Sequence, residues 1–270
     1  MKRIIPLFCL LILICSLTGC GSNTSLVINI EGSTSMERVM GALIEGYGEV
    51  NDSVKINYSG TGSGAGVEAV LSGVCDLGLS SRPLKDSEIQ KGAAAEVVAL
   101  GGIAVIVHPS NPISDLTLRE LAAVFSGKIS NWAGLGGKNA PIAVYGREAG
   151  SGSRTAFEDI ISAQDSCRYT NEYSSTGDIV GNVMSNPNSI GYISLSGIRR
   201  EVKLLRIDGV PCKDETIRSG EYPLRRPFLL VIGSNTPLSP PAAEFLDFAM
   251  SEDAAELISI AGAVPPNKRR

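Results

Sequence analysis

Histidine is almost absent: His108 is the only one in 270 residues. A His-based metal cluster or a Ser-His-Asp triad would have to rest on it alone. It precedes Pro109, has no evident serine partner, and reads as a strand-end residue. Positive charge is in deficit, with 24 Lys and Arg against 28 Asp and Glu and a formal net charge of −4. A broad basic surface for nucleic acid is therefore not expected. No Cys-x-x-C occurs, which leaves metal or thiol-redox chemistry without a basis. No Gly-x-x-x-x-Gly-Lys-Ser/Thr run and no Gly-x-Ser-x-Gly elbow is present, and Gly64-x-Gly66-x-x-Ala69 is only a degenerate dinucleotide fingerprint. No internal repeat is evident. What remains is a globular composition, 43% hydrophobic and 19% charged, long enough for one large or two smaller domains. Glycine, at 30 residues, is in excess.

Lys2 and Arg3 precede an apolar run from Ile4 to Leu17, broken by Pro6 and Ser16. Its length suits a signal-peptide core and is short for a spanning helix. The run ends in Leu17-Thr18-Gly19-Cys20, followed by polar Gly21-Ser22-Asn23-Thr24. This resembles the lipobox of bacterial lipoproteins. The resemblance implies loss of residues 1–19, lipidation (palmitate) of Cys20, and a tether over 20–25. Losing residues 1–19 removes Lys2 and Arg3 and no acid, which takes the net charge from −4 to −6. No later segment is long and apolar enough to span a bilayer. Cys75, Cys167 and Cys212 remain as either one disulfide plus a thiol or three buried thiols, and spacing does not choose.

The mature chain alternates strands and helices. Leu26 to Ile30 is β-rich, and Met36, Val39, Met40, Leu43, Ile44 and Tyr47 step by threes and fours as a helix face does. Thr34 and Glu37 have capping-box spacing. Val54 to Tyr58, Asp76 to Leu79, Val97 to Val107, Ile142 to Tyr145, Gly191 to Leu195, Val202 to Ile207 and Phe228 to Ile232 read as strands. Helices are expected near Val67–Leu71, after Thr117, around Ala156–Ile161, and over Pro240–Ile260. This order argues for an α/β fold with a mostly parallel sheet. The runs near 97–107 and 226–232 are candidates to cross between two lobes.

Three glycine-serine loops each follow a predicted strand and open a predicted helix: Gly32-Ser33-Thr34-Ser35, Gly60-Thr61-Gly62-Ser63-Gly64 and Gly150-Ser151-Gly152-Ser153. Unpaired N–H groups and a positive dipole end make such sites attractive to anions. Each loop alone is better explained by plain N-capping, since Ser and Thr are the usual caps, and it is the three together with an arginine that point to an anion. Arg147 directly precedes the third loop and can grip a tetrahedral oxyanion through two bonds, or pair with Glu148 on the surface. Asp76 either caps a turn or faces the ligand. In the second role it requires a proton on the anion, which phosphate keeps at neutral pH and sulfate lacks.

These loops resemble, in order, the phosphate-binding lipoproteins of bacterial ABC importers. The resemblance also runs through Asp76-Leu77-Gly78-Leu79-Ser80-Ser81-Arg82, Leu116 to Trp132, Arg147 to Arg154, Asn186 to Tyr192 and Gly220 to Leu224. It implies a type II periplasmic-binding-protein fold: two lobes, each a mixed, mostly parallel sheet with flanking helices, joined by two crossover strands. Lobe I would comprise 26–103 and 226–270, and lobe II 104–225. It further implies phosphate held by Ser33, Thr34, Ser35, Ser63, Asp76, Arg147, Ser151, Gly152 and Ser153. Asp76 would accept the phosphate proton and Glu148 would orient Arg147. The implied partners are an ABC permease with its ATPase subunits and, through the lipid, the extracytoplasmic face of the cell membrane. A monomer is expected, with no enzyme activity, cofactor, metal or nucleic acid. The rival readings are a binder of sulfate or molybdate, a secreted hydrolase using Ser63 or Ser151, and a surface domain with a vestigial cleft.

Overall fold

The computed structural model describes residues 26–198, 201–234 and 237–266. The signal segment 1–19, Cys20, the tether 20–25 and the tail Lys268-Arg269-Arg270 lie outside the described residues. The first half of the fold is built from β1 (Leu26–Gly32), α1 (Glu37–Val50), β2 (Val54–Ser59), α2 (Ser63–Leu71), β3 (Leu77–Ser80) and α3 (Asp86–Gln90). The long strand β4 (Ala93–Val107) follows, then β5 (Asp115–Leu116), α4 (Leu118–Phe125), β6 (Ala143–Arg147), α5 (Gly152–Ile160), β7 (Asn171–Tyr173), α6 (Thr176–Ser185) and β8 (Ser189–Ser194). The chain closes with β9 (Lys203–Leu204), β10 (Arg206–Ile207), α7 (Asp214–Ser219), β11 (Arg225–Gly233), α8 (Pro240–Ala249) and α9 (Glu252–Ile260).

The main sheet runs β2-β1-β3-β11-β4-β8-β6-β7. Its outer members pair in parallel: β1 with β2 and β3, and β6 with β7 and β8. The central pairs are antiparallel, β11 with β3 and β4, and β4 with β8. The sheet is therefore mixed. Strand β4 belongs to both halves, since Ala93–Gly102 pairs with β11 and Ile103–Val107 with β8. Each half has its own core. Ile28, Ile30, Leu43, Phe228, Leu230 and Phe245 pack one; Val105, Phe125, Phe157, Tyr192 and Leu224 pack the other. Phe157 stacks on Tyr192 with ring centroids 4.1 Å apart.

Local chemistry explains where the elements begin and end. The capping box at Thr117 forms as its spacing predicts: the hydroxyl accepts from Glu120 N–H, and Glu120 accepts from Thr117 N–H. The similar spacing at Thr34 and Glu37 does not form a box. Residues Thr34–Met36 make a 3₁₀ turn instead, and the Thr34 hydroxyl is taken by Arg147. The segment predicted as one helix over 240–260 breaks in two, because Ser251 caps α9 by accepting from Ala254 N–H. Val202–Ile207 divides into β9 and β10, where the chain leaves β4 for β5 between Leu204 and Arg206. The three cysteines are unpaired thiols. Burial raises Cys75 and Cys167 to about 11 and Cys212 to about 12, so none is reactive at neutral pH.

Candidate functional site

Parallel strands β1 and β3 end together, with Gly32 opposite Leu79. Ligand-binding loops collect at such carboxyl ends. Ser33, Thr34 and Ser35 follow β1, Ser81 follows β3, and Ser63 opens α2. From the other half, Arg147 ends β6, Ser151 caps α5, and Gly152 and Ser153 begin it. Strand β11 runs the opposite way, so its first residues lie beside the end of β3. That direction delivers Arg226 to the cluster.

The hydroxyls and guanidinium groups interlock. Ser33 Oγ donates to Ser81 Oγ at 2.8 Å, and Ser81 N–H donates to Ser63 Oγ at 3.1 Å. Arg226 Nη1 donates to Ser81 Oγ at 2.9 Å and to Ser81 O at 3.1 Å. Arg147 is held from the side. Its Nε reaches Glu148 Oε2 at 3.0 Å and its Nη2 reaches Glu148 Oε1 at 2.9 Å. This two-bond grip leaves Nη1 aimed elsewhere. The Arg147 backbone is fixed too, its N–H by Tyr192 Oη at 3.1 Å and its carbonyl by Arg154 Nη1 at 3.0 Å.

Both guanidinium groups are buried, Arg147 at 1% exposure and Arg226 at 3%. Among the described residues, three buried side-chain polar atoms have no hydrogen-bond partner: Arg147 Nη1, Arg226 Nε and Arg226 Nη2. Buried polar groups normally find partners, and an unpaired buried charge is costly. Arg226 has no carboxylate among its hydrogen-bond partners. Burial, and then the nearby Arg147 charge, push its pKa down to about 9, so at neutral pH it stays cationic. Helix α5 adds the N–H groups of its first turn, which have no acceptor within the helix. The cluster is thus a set of converging donors carrying excess positive charge. It suits an anion with several acceptor oxygens.

The two halves touch across the cleft. Ser35 Oγ lies 2.6 Å from Ser153 Oγ, Arg147 Nη2 donates to Thr34 Oγ1 at 2.8 Å, and Gly64 N–H donates to Gly150 O at 3.3 Å. Gly62 makes the Gly64 contact accessible: its φ is +94°, and a Cβ there would sit 3.3 Å from Gly150 O. Nearer the cleft mouth, Arg38 Nη1 donates to Ser196 O at 2.8 Å and Ser196 Oγ to Ser35 O at 3.2 Å. Arg38 touches none of the pocket hydroxyls in this arrangement, so it acts on closure rather than on the anion. Arg38→Ala is expected to weaken anion binding about 3- to 10-fold, the worth of one hydrogen bond. Calorimetric titration checks this, and an unchanged Kd would remove the latch role.

Of the residues expected at the site, Ser33, Thr34, Ser35, Ser63, Arg147, Ser151, Gly152 and Ser153 are brought together. Asp76 is not. It precedes β3, where its Oδ2 accepts from Asn29 N–H at 2.8 Å. It therefore sits at the opposite end of the strand, on the order of 16–17 Å from Ser81 at strand rise. There it ties the start of β3 to Asn29 of β1, its own N–H also donating to Asn29 O at 2.9 Å, and the proton-accepting role fails on geometry. Cys20 lies outside the described residues. Ser81 and Arg226 are the residues that the sequence reading missed. His108 joins no serine of the cluster: its Nδ1 contacts Ser110 Oγ at 2.8 Å just past the end of β4.

Fold and site together define a two-lobed binding protein with a cleft built for an oxyanion. The model of the PBP superfamily domain matches residues 20–253. The phosphate-binding protein PstS of Bacillus subtilis (strain 168) is 31% identical over 245 residues, 88% of this chain and 80% of that one. PstS of Borreliella burgdorferi is 26% identical over 87% of this chain and 88% of its own. Among solved structures, one from Clostridium perfringens is described as a phosphate ABC transporter substrate-binding protein with bound phosphate. It superposes with a TM-score of 0.86 at 35% identity, over 89% of this chain and all of that one. An ABC-type phosphate transport receptor from Vibrio cholerae gives a TM-score of 0.76 at 32% identity, over 88% of this chain and all of the other. The chain belongs to the PBP superfamily, in the family of PstS phosphate-binding proteins.

Proposed function

We propose that this protein captures inorganic phosphate between its lobes and delivers it to an ABC permease driven by ATPase subunits. The observation that carries the reading is the set of three partnerless guanidinium nitrogens on two buried arginines. Its relatives' names point the same way. Lobe I is assigned to 26–103 and 226–270, and lobe II to 104–225. Ser33, Thr34, Ser35 and Ser63 then hold the ion from lobe I, and Arg147, Ser151, Gly152 and Ser153 from lobe II. An ion contacted from both lobes binds the closed state better than the open one, and that difference drives closure.

No bond is made or broken in this reading. A serine nucleophile needs a base, and Ser151 Oγ is instead occupied in capping α5, accepting from Arg154 N–H. Residues 1–19 are assigned as a signal peptide, Cys20 as the lipidated first residue and 20–25 as the tether. The protein then works as a lipid-anchored monomer at the outer face of the cell membrane.

Protein stripped of bound anion is expected to melt about 5–10 °C higher with phosphate at 100 times its Kd, from roughly 2.7 kcal/mol of binding linkage. A melting temperature indifferent to phosphate would sink the proposal and favour a vestigial cleft.

A further inference from the structure

The acids around the pocket are paired with arginines or stand outside it. Both Glu148 oxygens are taken by Arg147. Glu88 is held by Arg82, with contacts of 2.6 and 2.9 Å. Glu158 and Glu172 are paired with Arg154 at 2.9 and 2.8 Å. Asp76 stands at the far end of β3. Glu37 is exposed at the cleft mouth beside Arg38.

Ser81 does not supply an acceptor either. Its Oγ already receives hydrogens from Ser33 Oγ and from Arg226 Nη1, at 2.8 and 2.9 Å. Both lone pairs are used, so the hydroxyl has only its own hydrogen to give, and Ser63 Oγ lies 3.3 Å away within reach of it. The partnerless atoms of Arg147 and Arg226 are donors without exception. The remaining hydroxyls, such as the Ser35–Ser153 pair, can rotate. A rotating hydroxyl accepts from a P–OH or donates to a bare oxygen with equal ease. Among the side chains named above, no carboxylate is set against the anion to penalise it for lacking a proton. Two buried cations against one paired carboxylate do favour a second negative charge.

Resting on the phosphate-capture reading above, we propose that this pocket recognises the charge and tetrahedral shape of its anion rather than a proton on it. Arg226 is the specificity-determining residue, and sulfate is a ligand beside phosphate. The Arg226 side chain packs over the Phe228 ring, 5.3 Å from its centroid, which fixes the direction of its free nitrogens.

The test is calorimetric titration of the anion-stripped full chain with sodium phosphate and with sodium sulfate at pH 8. The two Kd values are expected to agree within about 100-fold, that is, within the worth of roughly one mismatched buried hydrogen bond. Phosphate binding with sulfate more than 100-fold weaker overturns the inference and leaves phosphate capture standing. Failure of both ions removes the capture reading and this one with it.

Two variants sharpen the outcome. Ser81→Asp places a carboxylate at the pocket and sets acceptor against acceptor for sulfate alone. It is expected to shift the Kd ratio at least 100-fold toward phosphate, and an unchanged ratio counts against the inference. Arg226→Gln is expected to weaken both ions at least 30-fold while raising the anion-free melting temperature, because an unpaired buried charge is removed. A merely structural arginine would lower that temperature, and a fall would reject the assigned role.

Discussion

Arg147→Ala is expected to weaken phosphate binding by about 10²- to 10⁴-fold, the result of losing roughly 3–5 kcal/mol of charge-assisted bonding. Three losses combine. The partnerless Nη1 disappears from the pocket. So does the Nη2 bond to Thr34 Oγ1, which joins the two halves. Glu148, gripped at two points, is left without its cation and adds an unpaired negative charge beside the anion. Arg147→Lys should recover little, because an ammonium cannot bind Glu148 at two points and the anion at a third. Calorimetry on stripped protein decides. A loss below 10-fold for Arg147→Ala would mean that Arg226 and the loops suffice alone.

Gly152→Ala is expected to cost at least about 100-fold in phosphate affinity, through closure rather than chemistry, since misplacing groups by about 1 Å has consequences of that size. A Cβ at Gly152 falls within overlap of Ser63 Oγ. It would also sit 2.6 Å from Ser81 Oγ and 2.8 Å from Ser63 Cβ. A hydroxyl can swing aside, but the Ser63 Cβ is fixed to α2. The lobes must therefore stop short. Gly152 is not among the positive-φ residues and lies in the first turn of α5, so alanine suits the open protein well. The anion-free melting temperature should then barely change while affinity collapses. Near-normal affinity would show that the lobes meet the anion without this close approach.

Much of the site was legible because it is local. A Gly-Ser loop between a strand and a helix reveals itself within five residues, and Arg147 sits directly before one. The capping box at Thr117 was legible for the same reason. The identical pattern at Thr34 failed because a partner 113 residues away, Arg147, took its hydroxyl. Asp76 misled through direction. An acid ahead of a strand lies at the end away from the loops that follow it, and only the parallel pairing of β1 with β3 shows which end holds the pocket. Arg226 was hidden because its place depends on antiparallel pairing between β11 and β3, which residue spacing does not encode. One signal was available: an arginine pair opening the apolar run Pro227-Phe228-Leu229-Leu230-Val231. A charge so close to a buried strand asks for a partner.

Strand β11 lies between β3 and β4, with Leu230 opposite Leu79 across 151 residues of chain. Until it arrives, β1, β2 and β3 have no hydrogen-bonded link to β4 within the sheet. The same strand carries Arg226. One late event in the life of each newly made chain therefore completes both the first sheet and the cationic wall of the pocket. A molecule interrupted before that strand lacks its receptor and a finished fold together. Pairings of such long sequence separation are slow to form, so the pocket is completed late in folding.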